Sequence, residues 1–277
     1  MRSRVVVALV FAASLSARVG RAEPHELKRT EPLTLGIELG LSAVAMSAGI
    51  LAPNPKQCRW CSPPGLDEAV AGWFEIEGRR PAAQLSHVLS FSVLPAASVA
   101  ALVAPALSQS APTRVALEDV SIALQAMGWN LALSQAVKKL VARRRPAFFY
   151  ERSRLTEYPD SLKQRNQSFF SGDTSSAFVM ASSVTTLAFL RGYSWAPYAA
   201  AAGGTLATAT GLLRIAADVH WASDVFVGAV AGSAIGCLVP ILLHPRAARN
   251  KEVSSDGALL LPEFGQSMTG LSWAGQF

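Results

Sequence analysis

The chain has 277 residues, of which 51% are hydrophobic and 16% charged, with a formal net charge of +6. That length holds one large core or two modest ones, and the charge content falls below the roughly 25% of ordinary soluble domains. The positive balance favours anionic partners such as phosphates or an anionic membrane surface, and basic residues clustered without interleaved aromatics argue against a nucleic-acid module.

A mean hydropathy of +0.29 is high for a soluble protein, yet low for a pure bundle of lipid-facing helices. Residues 1–22, MRSRVVVALVFAASLSARVGRA, have a basic start, a short apolar run and small residues near their end. This is the pattern of a secretory signal, too short in its apolar part to span a bilayer easily. Export permits disulfides, and Cys58 and Cys61 in CRWC are read as a tight disulfide or a redox pair, the disulfide being the simpler choice. A lone CxxC does not make a zinc site. Cys237, inside an apolar segment, reads as a small buried residue.

The stretch 33–52 is a first apolar helix, ended by Pro53 and Pro55. With it, residues 23–84 form an N-terminal unit whose later part, 54–84, is a loop or short amphipathic helix. Residues 85–107 predict a helix kinked at Pro95. Residues 115–142 predict another, interrupted by Glu118, Asp119, Gln125, Asn130 and Gln135, which suits a helix facing other helices or water rather than lipid. A polar, basic connection over 143–172 follows. Then come 174–190, 195–217 and 220–243, helices rich in Ala, Gly and Ser that permit close backbone contact. The tail 245–277 is polar. The predicted fold is all-α: a membrane-associated bundle of about six long helices, its core over 85–244. The positive-inside pattern does not fix the number of crossings, because the arginines also have chemical uses.

Three stretches carry that chemistry. KKLVARRRP places Lys138 on the last turn of a helix, with Arg145-Pro146 expected to stop it. FSGD sets Ser171, Gly172 and Asp173 before a small-residue helix, where backbone N–H groups cradle anions. LLRIAADVHWASD supplies Arg214, His220 and Asp224. His220 and Asp224 stand four apart, so on a continuous helix the carboxylate can orient the imidazole, which becomes a nucleophile or base. Lys138, Arg145 and Arg214 are cations suited to a phosphate and to the charge that grows in its transition state. Each piece alone is commonly structural; their joint order is specific.

The pattern K-x6-R-P, S-G-H, S-R-x5-H-x3-D resembles that of the type 2 phosphatidic acid phosphatase (PAP2) and vanadium haloperoxidase superfamily. Lys138…Arg145-Pro146, Ser171-Gly172 and Arg214…His220…Asp224 match its spacings. The resemblance implies a helical-bundle phosphatase that uses no metal or other cofactor, with vanadate expected to bind as a phosphate analogue. It implies His220 as the nucleophile that forms a phosphohistidine, oriented by Asp224. Lys138, Arg145, Ser171, Gly172 and Arg214 would bind phosphate oxygens.

Phe170 and Leu213 depart peripherally from the pattern, and Asp173 departs seriously, standing where the family has the histidine that protonates the leaving group. Cations nearby should keep Asp173 ionised and a poor proton donor. Three consequences stay open: an acid optimum, a preference for diphosphates, or a phosphate-binding relative with little turnover. Retained hydrolysis with a reduced rate on alkyl monoesters is expected. His87 reads as a packing or interfacial residue, His25 lies at the mature start and His244 closes the last helix. Asp218, four after Arg214, reads as its ion-pair partner.

The leading function is a phosphatase of lipid phosphates or diphosphates in the cell envelope, inner-membrane-associated or periplasmic, with an extracytoplasmic site. A soluble periplasmic acid phosphatase is the nearest alternative, and a vanadate-dependent haloperoxidase a distant one.

Overall fold

The computed structural model describes residues 30–74, 79–108, 111–151 and 162–243. The expected leader over 1–22, His25, His244 and the tail 245–277 lie outside them. Among the described residues the fold is all-α, with no β-strand and one isolated parallel bridge between Trp60 and Arg143.

α1 (Pro32–Leu51) opens with a proline in its first turn, where the missing N–H costs nothing. The stretch expected to be a loop or short helix resolves into two pieces. α2 (Gly65–Trp73) carries Asp67 and Glu68 in its first turn, and α3 (Arg79–Val88) begins well before the predicted start at 85. α3 runs through a π turn, Leu89–Val93, into α4 (Leu94–Leu107). The irregularity predicted at Pro95 therefore sits in the turn before it. Proline crowds the carbonyl one turn upstream and offers it no N–H, and a wider i→i+5 turn accommodates both.

α5 (Thr113–Val141) packs against α1, α4 and the two later helices Gly172–Leu190 and Ala222–Leu243. Its polar residues Asp119, Gln125, Asn130, Ser134 and Lys138 point inward, whereas Leu117, Leu124, Leu133 and Leu140 are exposed. The helix ends where the sequence bounded it, at Ala142, but the stop is that residue's left-handed backbone (φ 48°) rather than Arg145-Pro146, and Pro146 opens the single turn α6 (Pro146–Phe149).

α7 (Gly172–Leu190), α8 (Ala196–Ala216) and α9 (Ala222–Leu243) complete the core, with α7 packed against α5, α8 and α9. The inward face of α9 is Asp224, Gly228, Gly232, Gly236 and Pro240, one residue per turn. A Cβ on Gly228, Gly232 or Gly236 would stand 2.7, 2.2 or 2.5 Å from a carbonyl oxygen of α7, so only glycine permits this backbone approach. Cys237, beside the stripe, is half-buried rather than buried as expected.

Large apolar side chains lie outside: Leu33, Ile37, Leu41 and Val44 on α1, and Phe226, Val230, Leu238 and Ile241 on α9. Pro32–Leu51, Arg79–Leu107 and Ala222–Leu243 are each long and apolar enough to cross a membrane. Small residues inside and large ones outside suit a lipid surround, where close backbone packing replaces the hydrophobic drive.

α5 and α7 run antiparallel. Asp119 near the start of α5 pairs with Arg191 at the end of α7, and Asn130 donates to Ser176 at mid-height. The end of α5, the starts of α7 and α9 and the end of α8 thus meet at the opposite end of the bundle.

Candidate active site

That end gathers the polar residues singled out in the sequence. Lys138 is buried on the last turn of α5, and a Cβ added to Gly172 would stand 2.8 Å from its Nζ. Among the described residues the Lys138 ammonium has no hydrogen-bond or ion-pair partner. Burial, with Arg145 and Arg214 nearby, pushes its pKa down to about 8. A buried, unpaired ammonium is costly unless an anion arrives to meet it.

Arg145 is fixed beside the loop that precedes α7: its N–H donates to the Arg165 carbonyl and its Nη2 to Gln164 at 3.0 Å. Arg214 is buried on the last turn of α8. Its Nη1 lies 3.2 Å from Asp173 and donates to Ser86, while its Nε has no partner. Ser171 caps α7, accepting from the Thr174 N–H at 3.3 Å, and its own N–H donates to the Asp224 carbonyl. Its hydroxyl therefore serves the loop. The Gly172 N–H remains one of the helix-start donors that have no acceptor within the helix.

His220 lies just before α9, so the continuous helix that would carry both His220 and Asp224 is broken between them. The His220 Nδ1 donates to the Ser168 carbonyl at 2.7 Å and stands 3.7 Å from the Asp224 carboxylate. A carbonyl can only accept, so Nδ1 carries the proton and the neutral ring presents a lone pair at Nε2. Nε2 is buried and has no partner. Burial, then Arg214, Arg145 and Lys138, hold the His220 pKa well below the ordinary imidazole value. The ring is a neutral nucleophile in a cationic hollow.

Asp224 acts one bond further out. Its carboxylate accepts from Arg143 at 2.5 Å, from the Ser168 hydroxyl at 2.5 Å and from the Trp221 N–H at 2.9 Å. It thereby fixes Ser168, whose carbonyl holds the imidazole. Arg143 also reaches Asp67 of α2 at 2.5 Å and stacks 3.8 Å from the Trp60 ring. Asp67 in turn accepts from the Ser223 N–H and hydroxyl. Arg143, Ser168 and Asp67 were missed in the sequence. The first of three consecutive arginines, a serine used through its backbone and a carboxylate on a distant short helix leave no local signature.

Asp173 is buried, and its Oδ2 meets both Arg214 Nη1 and His87 Nδ1 at 3.2 Å. Burial would raise its pKa, but Arg214, the His87 hydrogen bond, Lys138 and His220 hold it well below the usual carboxylate range. As an ion-paired carboxylate it does not donate a proton. Asp218, expected to pair with Arg214, instead binds Arg79 of α3 at 2.6 Å. It sits past the end of α8 at φ 57°, which turns its carboxylate toward α3.

Cys58 and Cys61 are joined as a disulfide, Cα atoms 5.5 Å apart. They bracket Trp60, whose carbonyl accepts from the Arg144 N–H.

Residues 119–247 match the family model described as the PAP2 superfamily, and Lys138, Arg145, Ser171, Gly172, Arg214, His220 and Asp224 all lie within that match. Over 69 residues the chain is 44% identical to a lipid A 1-phosphatase of Porphyromonas gingivalis, an alignment covering 25% of this chain and 15% of that protein. Among solved structures, a transmembrane PAP2-type phosphatidylglycerolphosphate phosphatase from Bacillus subtilis aligns at 16% identity with a TM-score of 0.46, over 76% of this chain and 93% of that one.

Proposed function

We propose that this protein is a metal-independent phosphatase that hydrolyses lipid phosphates or diphosphates through a phosphohistidine at His220. The observation that carries this reading is the unpartnered, unprotonated Nε2 of His220 lying among Lys138, Arg145 and Arg214. An anion is the group such a hollow accepts, and a phosphorus atom is what a lone pair there can attack.

Nε2 forms a bond to phosphorus as the bond to the ester oxygen breaks. The cations and the Gly172 N–H stabilise the equatorial oxygens as their charge grows. Ser168 keeps Nδ1 protonated throughout, so Asp224 contributes orientation, not proton transfer. Water then attacks the phosphohistidine and releases inorganic phosphate. No other cofactor is needed for these steps, and orthovanadate should occupy the hollow as a phosphate analogue.

Two features support a lipid substrate. The helices around the site carry exposed apolar faces, and the matched relative from P. gingivalis is named for a phosphorylated lipid. The Cys58–Cys61 disulfide lies at the same end of the bundle as the site, which supports an extracytoplasmic orientation in the cell envelope. The exposed apolar helices favour this reading over a soluble acid phosphatase.

The test is phosphate release by purified full-length protein in detergent, on a panel of lipid monophosphates and diphosphates, with and without orthovanadate. Turnover blocked by orthovanadate and abolished by His220→Ala supports the reading. Turnover that survives His220→Ala overturns it.

A further inference from the structure

We propose that His87 of α3 is the catalytic residue that protonates the leaving oxygen, with Asp173 as its positioning residue. This rests on the phosphatase reading above. The proton donor expected at position 173 is replaced by a carboxylate that holds an imidazole from another helix.

The geometry is that of an imidazole anchored at one nitrogen. Asp173 Oδ2 accepts from His87 Nδ1 at 3.2 Å, so Nδ1 carries a proton, and Nε2 has no hydrogen-bond partner among the described residues. The Phe91 ring, one turn on, packs against the other side with centroids 4.8 Å apart. The His87 side chain is 65% exposed, whereas that of Asp173 is only 12% exposed. His87 is thus held firmly at its base and open at its tip, where an ester oxygen can reach it. The charged groups facing it are Asp173 of α7 and Arg214 of α8, joined on one carboxylate oxygen. That shared oxygen ties the donor to a guanidinium of the phosphate hollow. His87 also lies outside the stretch 119–247 that matches the family, so nothing in that match assigns it a role.

The proton balance closes on these residues. His87 enters the cycle as the imidazolium, one proton on Nδ1 toward the Asp173 carboxylate and the other on Nε2. As the Nε2–phosphorus bond forms at His220 and the phosphorus–oxygen bond breaks, the leaving oxygen takes the proton on His87 Nε2 and departs as an alcohol. Neutral His87 then accepts a proton from the attacking water, the phosphorus–nitrogen bond breaks, and inorganic phosphate leaves. Both imidazoles return to their starting states, and Asp173 remains a carboxylate throughout.

A donor to the leaving oxygen matters most where that oxygen leaves badly. The experiment compares full-length wild type, His87→Gln, His87→Ala, Asp173→Asn and His220→Ala in detergent, on dioctanoyl phosphatidic acid and on p-nitrophenyl phosphate. His87→Gln should lose ~100-fold or more in kcat on the lipid and less than about tenfold on the nitrophenyl ester, because general acid catalysis is worth 10²–10⁴-fold where it is needed. His87→Ala should show the same split, and Asp173→Asn a weaker one. Equal losses on both substrates indicate a structural role and overturn the proposal, as does full activity of both His87 variants on the lipid. A wild type inactive on both esters, or activity that survives His220→Ala, overturns the phosphatase reading and this inference together.

Discussion

Arg143 grips Asp224 at 2.5 Å through one guanidinium nitrogen and Asp67 at 2.5 Å through the other, with all three side chains buried. One arginine thus joins the loop after α5, the N-terminal α2 and the helix behind the nucleophile. Removing it leaves buried carboxylates without a counter-charge. Arg143→Ala should cost about 3–5 kcal/mol, the usual cost of breaking a buried pair, read as a fall in thermal or denaturant stability. Arg143→Lys should recover little of it, because an ammonium cannot reproduce the two-pronged contact.

Lys138 gives the site an alkaline limit. With its pKa near 8, it is a cation below that pH and neutral above it. Phosphate affinity is therefore fully present below pH 8 and falls as pH rises past it. Product inhibition by inorganic phosphate should weaken about 10–100-fold by pH 10, the value of one charged hydrogen bond. Lys138→Arg should flatten that profile.

His220 sets the acid limit. Its depressed pKa keeps the ring neutral, so the nucleophile survives well below pH 6.5 and is lost only on further acidification. The acid limb of kcat/KM contributed by this ring should lie below the ordinary imidazole value of about 6.5. His220→Ala should remove activity by a factor on the order of 10⁴ or more. An acid-labile phosphoenzyme trapped from labelled substrate in wild type should vanish in that variant.

Gly232 tests the backbone contact between α7 and α9. A Cβ there would stand 2.2 Å from the Ser175 carbonyl oxygen and 3.0 Å from the Phe178 Cβ, and neither atom is a flexible tip. Gly232→Ala should destabilise by about 1–3 kcal/mol. Gly36→Ala, where nothing lies within 4 Å, should be neutral or better by up to about 1 kcal/mol. Melting temperatures of the two variants measure the contrast.

Reducing the Cys58–Cys61 bond opens a very short loop. Chain entropy assigns about 2 kcal/mol to such a closure, so reductant should lower the melting temperature by roughly 4–8 °C. Activity should fall less than with Arg143→Ala, because α2 still delivers Asp67.

The sequence displayed the helices and most of the residues that line the cationic hollow, for a reason visible in Lys138, Arg145, Arg214 and His220. Each occupies a helix end, and their spacings repeat a pattern that single residues do not carry. What holds them was hidden. ARRRP offers three equivalent guanidiniums, and only the left-handed turn at Ala142 decides that Arg143 faces inward. Ser168 acts through its carbonyl, which no side-chain pattern reveals. His87 looked like packing because it stands near the start of the apolar stretch 85–107, and its partner lies 86 residues away. Pro95 marked an irregularity but not its form, since the strain of a proline is relieved upstream of it.

The bare ridge on α9 reaches further than the two helices it joins. Gly228 lies under Ser171, and Gly232 and Gly236 continue the same seam away from the site. The seam works as a gauge: α7 carries Gly172 and Asp173, α9 carries Asp224, and the thickness of the residues between them sets how far apart those groups stand. A methyl group added far down that seam would push the two helices apart and shift those groups relative to one another without altering any of them.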